Sequence, residues 1–155
     1  MPDAPAIEID PTAKFEVTFA TAKGDIVALL DASLAPITVN HFVVQARKGF
    51  YDGLTFHRVV PGFVIQGGDP EGSGRGGPGY KFADEPVQAP YVLGALAMAN
   101  AGPDTNGSQF FICIDDCQDK LQPLYNLFGH VTSGIEVAQS IAVGDKMTTV
   151  SVTDA

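Results

Sequence analysis

Two polar side chains stand where a folded chain rarely puts them. Arg58 and Gln66 lie inside Phe56-His57-Arg58-Val59-Val60-Pro61-Gly62-Phe63-Val64-Ile65-Gln66-Gly67-Gly68, a stretch otherwise mostly apolar and rich in β-branched residues. A guanidinium is a fork of N–H donors that keeps its proton at any working pH, and a carboxamide both donates and accepts. Inside core-like segments such groups are usually paired or working. Pro61-Gly62 divides the stretch into two short strands. Strand alternation puts Phe56, Arg58 and Val60 on one face and His57 and Val59 on the other. In the second arm Phe63, Ile65 and Gly67 alternate with Val64, Gln66 and Gly68. On spacing alone the plain alternative stays open: an arginine whose stem lies along the surface and whose head is in water.

Other chemistries fit less well. Ser108, His57 and a carboxylate such as Asp69 could make a hydrolase, but Ser108 follows Asn106-Gly107 rather than sitting in a G-x-S-x-G elbow, and His57 alternates away from Arg58. Gly72-Ser73-Gly74-Arg75-Gly76-Gly77 matches G-x-G-x-x-G in letters, yet Pro78-Gly79 follows it where a dinucleotide site needs a helix. A structured glycine-rich loop is expected over 67–79. Cys113 and Cys117 could pair on spacing, but Cys113 falls in the apolar strand pattern of Phe110 to Ile114 and reads better as a small buried residue. Two thiols without clustered histidines make no zinc site. Neither a metal nor a cofactor is expected.

Composition narrows the field further. The chain has 155 residues, 45% hydrophobic and 17% charged, with a formal net charge of −9. That suits one globular domain and argues against a nucleic-acid backbone as partner. With no run of 18 apolar residues, no membrane association is expected. The acidic N-terminus lacks the basic and apolar regions of a secretory signal, so a cytoplasmic location is expected.

The elements that must hold these residues can be taken in order. Residues 1–14, with three prolines, read as a flexible lead-in to a domain over 15–155. Phe15 to Ala20 and Ile26 to Leu30 alternate as two strands joined by a turn at Lys23-Gly24-Asp25. Val39, Phe42, Val43 and Ala46 form one apolar stripe of a helix that Thr38 can cap, leaving His41 and Gln45 on its wetter side. Tyr91 to Ala99 and Ser108 to Ile114 read as strands joined by a Gly/Pro/Asn loop, and Leu127 to Val131 as another. Ser133-x-x-Glu136 reads as a capping box opening a second helix that Gly144 can end. Thr148 to Thr153 gives a last strand. About eight short strands with two helices predict an all-β barrel rather than βαβ units, and closure would remove exposed edges.

Two long motifs carry a resemblance. The block from Phe56 to Asp69 and the block from Met98 to Ile112 (Met-Ala-Asn-Ala-Gly-Pro-Asp-Thr-Asn-Gly-Ser-Gln-Phe-Phe-Ile) resemble, in order and spacing, the cyclophilin family of peptidyl-prolyl cis-trans isomerases. The resemblance covers nearly the whole chain. It implies a closed eight-stranded antiparallel β-barrel with a helix over each open end, acting on proline-containing peptides and unfolded protein clients as a monomer. It implies a catalytic role for Arg58, held by Gln66, with Phe63, Val64, Phe111 and Leu121 lining an apolar proline pocket. Asn100 would grip the peptide through its main chain, flanked by Ala99 and Ala101, with Gln109, Tyr125 and Gly72 nearby. Phe110 should face the other way and stay in the core. Where many relatives carry methionine this chain has Val64, implying a looser pocket. Lys120-Leu121 stands where many carry Trp-Leu or His-Leu, and Tyr125 where histidine is common, so cyclosporin binding is expected to be weakened.

Overall fold

A computed structural model describes residues 5–155. Its frame is one antiparallel eight-stranded sheet, in the spatial order β3-β4-β6-β5-β7-β2-β1-β8. The strands are β1 (Lys14–Thr21), β2 (Gly24–Asp31), β3 (Phe56–Val60), β4 (Val64–Gly67), β5 (Ala95–Met98), β6 (Phe110–Cys113), β7 (Leu127–Ser133) and β8 (Thr149–Asp154). Helix α1 (Pro36–Arg47) follows β2, and α2 (Ile135–Ser140) precedes β8. Alternation in β1 and β2 turns Phe15, Val17, Phe19, Ile26, Ala28 and Leu30 inward. There they meet Val39, Phe42 and Val43 of α1. Phe110 lies at the centre of this core, its ring 5.4 Å from Phe19, 5.7 Å from Phe42 and 5.7 Å from Tyr51.

The expected closed barrel is instead an open, half-barrel sheet. The end strands β3 and β8 share no ladder. The chain leading into β8 is still in a turn when it passes β3, so contact is limited to one isolated bridge between Thr55 and Lys146. Backbone hydrogen bonds flank that bridge, including Phe56 N–H to the Asp145 carbonyl at 2.8 Å and Met147 N–H to the Leu54 carbonyl at 2.8 Å.

Strands β4, β5 and β6 are covered on both faces. Ile65, Leu96, Met98, Phe110 and Ile112 point into the main core. Val64, Ala95, Ala97, Phe111 and Cys113 join a second apolar cluster with Leu127, Cys117 and Tyr91 on the outer side. This explains the continuous apolar runs Ala-Leu-Ala-Met and Phe-Phe-Ile-Cys in place of alternation. Phe110 and Phe111 do take opposite sides. Cys113 and Cys117 form a disulfide, against the reading of Cys113 as an unpaired buried residue. Their Cα atoms are 6.3 Å apart, within bridging reach, because the chain turns back on itself straight after β6.

Both helix starts differ from their sequence signals. Thr38 does not cap α1; the helix begins two residues earlier, at Pro36, a residue favoured in the first turn. The exposed N–H groups of Ile37 and Thr38 are met from afar by the Glu85 carboxylate, at 3.0 and 2.8 Å, an anion at a helix N-terminus. Ser133 belongs to β7 rather than to a capping box. Gly134, at φ +80°, makes the turn into α2, and a Cβ there would collide with the Asp25 carbonyl. That helix ends at Ser140, before Gly144. Part of the expected flexible lead-in is tied down: the Asn40 side chain accepts from Glu8 N–H at 2.8 Å and donates to the Ala6 carbonyl at 3.1 Å. Residues 1–4 of that lead-in lie outside the described residues.

His41 is fully buried, not on a wet face. The sheet covers one side of α1, while residues 5–9 and the segment carrying Tyr80, Phe82 and Glu85 cover others, so the stripe of apolar residues understates what is buried. The Tyr51 hydroxyl donates to the Ser108 carbonyl at 3.0 Å. His41 Nε2 therefore donates to the Tyr51 oxygen, 3.4 Å away, and Nδ1 accepts from the Tyr80 hydroxyl. Burial pushes the His41 imidazole down to about 3. Because the unfolded chain protonates first, this histidine costs no stability above about pH 6.5 and removes it as pH falls toward 3. The slope is at most about 1.4 kcal/mol per pH unit. His57, also lowered by burial, adds in the same direction. Urea unfolding between pH 6.5 and 5 should show a falling midpoint, and His41→Gln should flatten that slope; an unchanged slope in the variant would contradict this assignment.

Candidate functional site

The site lies on the outer face of the doubly covered strands. In β3 the register with β4 shifts between Phe56 and Arg58. This bulge changes the expected alternation: Phe56 and Val59 pack with the main core, while Val60 packs with the outer cluster. Arg58 projects on the outer side, opposite Gln66 of β4. His57, expected to point away from Arg58, lines the same cavity.

Three amides hold the arginine. Arg58 Nη1 donates to Gln66 Oε1 at 3.1 Å, Gln66 Nε2 donates to Gln109 Oε1 at 3.0 Å, and Gln109 Nε2 donates to the Gly76 carbonyl at 3.0 Å. Each carboxamide accepts at its oxygen and donates at its nitrogen, so the chain has one sense throughout. It ends on the glycine-rich loop, and that loop is shaped by Asp69. The Asp69 carboxylate is buried and accepts from the N–H groups of Glu71 at 2.8 Å and Ser73 at 2.9 Å, and from that of Gly74. A Cβ on Gly76 would collide with this carboxylate. The loop is thus a nest around an anion, with no helix at its end.

Beside Arg58 opens a cavity of about 700 Å³. Phe63, Val64, Phe111 and Leu121 supply its apolar wall, and Gln66, Ala99, Asn100 and Tyr125 complete its rim. The Tyr125 ring stands edge-on to Phe111 at 5.5 Å. The Tyr91 hydroxyl fixes the Tyr125 backbone, donating to its carbonyl at 2.7 Å and accepting from its N–H at 3.1 Å. Leu121 is brought in by a turn closed on the Cys117 carbonyl, which the disulfide anchors to β6. Asn100 uses its side chain locally, donating to the Leu124 carbonyl at 2.9 Å and accepting from Gly102 N–H at 3.2 Å. Among the described residues no hydrogen bond engages its main-chain N–H or carbonyl.

Nine of the residues expected at the site line this cavity. Gln109 and Ala101 line a second one that shares the walls Gln66, Gly74, Ala99 and Asn100. Gly72 lines neither; at φ +68° it turns the loop around Asp69. His57, Ser73, Gly74 and Lys120 were not anticipated. Lys120 was noticed only as a departure; its Nζ donates to the Gly62 carbonyl at 2.7 Å and stands 5.9 Å from the centre of the Phe63 ring. Ser108 is buried and donates to the Gly68 carbonyl at 2.6 Å, so it is not presented as a nucleophile.

Such a site on such a sheet has counterparts. A family profile described as cyclophilin type peptidyl-prolyl cis-trans isomerase/CLD matches residues 16–154. The chain is 53% identical over 120 residues to peptidyl-prolyl cis-trans isomerase B of Bacillus subtilis, covering 76% of this chain and 83% of that one. It is 47% identical over 138 residues to a peptidyl-prolyl cis-trans isomerase of Synechococcus elongatus, covering 87% and 94%. A crystal structure of a Cryptosporidium parvum cyclophilin type peptidyl-prolyl cis-trans isomerase superposes with a TM-score of 0.84 at 30% identity, covering 92% of this chain and 99% of that one. The same kind of protein in the presence of the dipeptide Ala-Pro gives 0.78, at 31% identity and with 90% and 98% covered. The chain belongs to the cyclophilin-type peptidyl-prolyl cis-trans isomerases and catalyses proline isomerisation.

Burial alone would push the Asp69 carboxyl up, but the N–H groups of Glu71, Gly76, Gly74 and Ser73 outweigh it and hold the group below its usual range. Its contribution to the loop is therefore present above about pH 3.8 and lost as pH falls through the lower folded value. The amide resonances of Glu71, Ser73 and Gly74 should move together in an NMR acid titration, with one midpoint below about 3.8. Independent midpoints would mean that Asp69 does not organise the loop.

Proposed function

We propose that Arg58 accelerates rotation about X-Pro bonds in unfolded or flexible protein segments, and that this assists folding. The reaction makes and breaks no bond. Unaided, the amide turns in tens to hundreds of seconds over a barrier of roughly 18–20 kcal/mol, so an ordinary turnover needs only about 3–7 kcal/mol of help. Amide resonance is what resists rotation. In the twisted state the proline nitrogen becomes pyramidal and its lone pair can accept a hydrogen bond. The proline ring would rest on Phe63, Val64, Phe111 and Leu121, with the neighbouring main chain against Asn100 between Ala99 and Ala101. Arg58 would then donate to the nitrogen as it pyramidalises. Apolar surroundings favour the less dipolar twisted state and strengthen that bond.

The observation that carries this reading is the arginine's posture. One guanidinium nitrogen is committed to Gln66, and among the described residues the side chain has no further hydrogen-bond partner. Its remaining N–H donors are left without a protein partner on the wall of the cavity, where a substrate can take them. NMR exchange spectroscopy on a short Ala-Pro peptide should show faster cis/trans exchange with the protein. Arg58→Ala should lose about 10²-fold or more of that acceleration while keeping most of the peptide affinity. Equal losses of affinity and exchange would mean that Arg58 only binds.

A further inference from the structure

The site face carries the opposite charge from the rest of the molecule. The chain has 18 acidic and 9 basic side chains. The two adjoining cavities are nevertheless lined by Arg58, Arg75, Lys81 and Lys120, four of those nine, and by no Asp or Glu. Arg58 and Lys120 already have partners in Gln66 and the Gly62 carbonyl. Among the described residues, the side chains of Arg75 and Lys81 have none. They stand on the wall of the second cavity, whose volume is about 530 Å³.

Both side chains are exposed. Among the described residues the only ion pairs are Lys23–Asp145 and Arg47–Asp154, so no carboxylate lies within 4 Å of either cation. Of the carboxylates close by in the chain, Glu71 reaches the backbone of Gly76 at the edge of this wall without pairing with either cation, and Asp69, Asp84 and Asp104 are occupied elsewhere. Asp69 is held by its loop N–H groups. Asp84 accepts from Asn106 Nδ2 at 2.9 Å and from Asp104 N–H at 3.2 Å, and Asp104 accepts from Asp84 N–H at 2.9 Å. A concave surface lined by one sign of charge focuses the field toward an oppositely charged ligand. Every acidic side chain among the described residues lies outside the two linings, with five of the nine basic ones.

We propose that the second cavity gives this enzyme a preference for proline segments that carry a carboxylate side chain, Asp or Glu, within about three residues of the proline. The inference rests on the first cavity being the proline site. The two cavities share four wall residues, and an extended peptide advances about 3.3–3.6 Å per residue. A side chain one to three residues from a proline seated against Phe111 therefore reaches the adjoining wall. The carboxylate is met there by Arg75 and Lys81, each of which gives up little to bind it because neither has a partner to leave.

The test is a set of short peptides with one X-Pro bond, in which Glu, Lys and Ala are scanned through three positions on each side of the proline. Exchange is measured by NMR with the wild-type protein. At one or more positions Glu should exceed Lys by about three- to tenfold at low ionic strength. That ratio should shrink toward one in about 0.5 M salt, and Arg75→Glu with Lys81→Glu should invert it. A ratio within twofold at every position, or one that ignores salt, would overturn the preference even if the double variant cannot be prepared. Acceleration of the all-Ala peptide without any Glu–Lys difference would overturn this inference alone; no acceleration of any peptide would overturn the isomerase reading with it.

Discussion

The site depends on holding one long, flexible cation still. A free arginine side chain carries roughly 2 kcal/mol of rotamer entropy, and Arg58 is exposed. One of its guanidinium nitrogens is held by Gln66, which Gln109 holds in turn, and the series ends on a main-chain carbonyl that cannot move independently of its loop. Asp69 fixes that loop by gathering its N–H groups around a buried carboxylate. The proposed donor at the surface is thus set by an anion beneath the adjacent loop, through contacts that are all hydrogen bonds with defined donors and acceptors.

The sheet makes this arrangement possible by being apolar on both sides where it matters. Over β4, β5 and β6 one face closes the main core around Phe110 and the other supports the pocket around Phe111. A strand buried on both faces cannot shift register without exposing one set of side chains and forcing the other into the core. Gln66 is therefore held opposite Phe111 of β6, and the bulge in β3 keeps Arg58 opposite Gln66. The open seam between β3 and β8 lies on the far edge of β3 from this pairing, so the site does not depend on closure.

Much of this was legible in the sequence, and the failures share a cause. Alternation marked β1 and β8, apolar β-branched runs around Pro61-Gly62 marked β3 and β4, and helical spacing marked the buried stripe Val39, Phe42, Val43 and Ala46. The oddity of Arg58 and Gln66 inside apolar strands pointed to the site, and the two long motifs named its family. What stayed hidden depends on segments far apart in the chain. Glu85 replaces a local cap on α1 from 47 residues away, and Tyr80 with the N-terminal segment buries His41. Gln66 finds Gln109 across 43 residues. Ideal alternation could not foresee the bulge that brings His57 to the cavity, nor could a capping-box pattern see that Ser133 is claimed by a strand. The cationic groove was invisible in a net charge of −9, because charge summed over a chain carries no position.

The central claim is that Arg58 and its amide supports act as one unit. A double-mutant cycle on kcat/KM for an Ala-Pro peptide, combining Arg58→Ala with Gln109→Ala, tests it most directly. Gln109 touches Arg58 only through Gln66, so if the support works through the arginine, removing Gln109 should cost about tenfold in the wild type and almost nothing once Arg58 is gone. Additive losses would show that Gln109 serves the peptide by itself and that the hydrogen-bonded chain does not position the catalytic guanidinium.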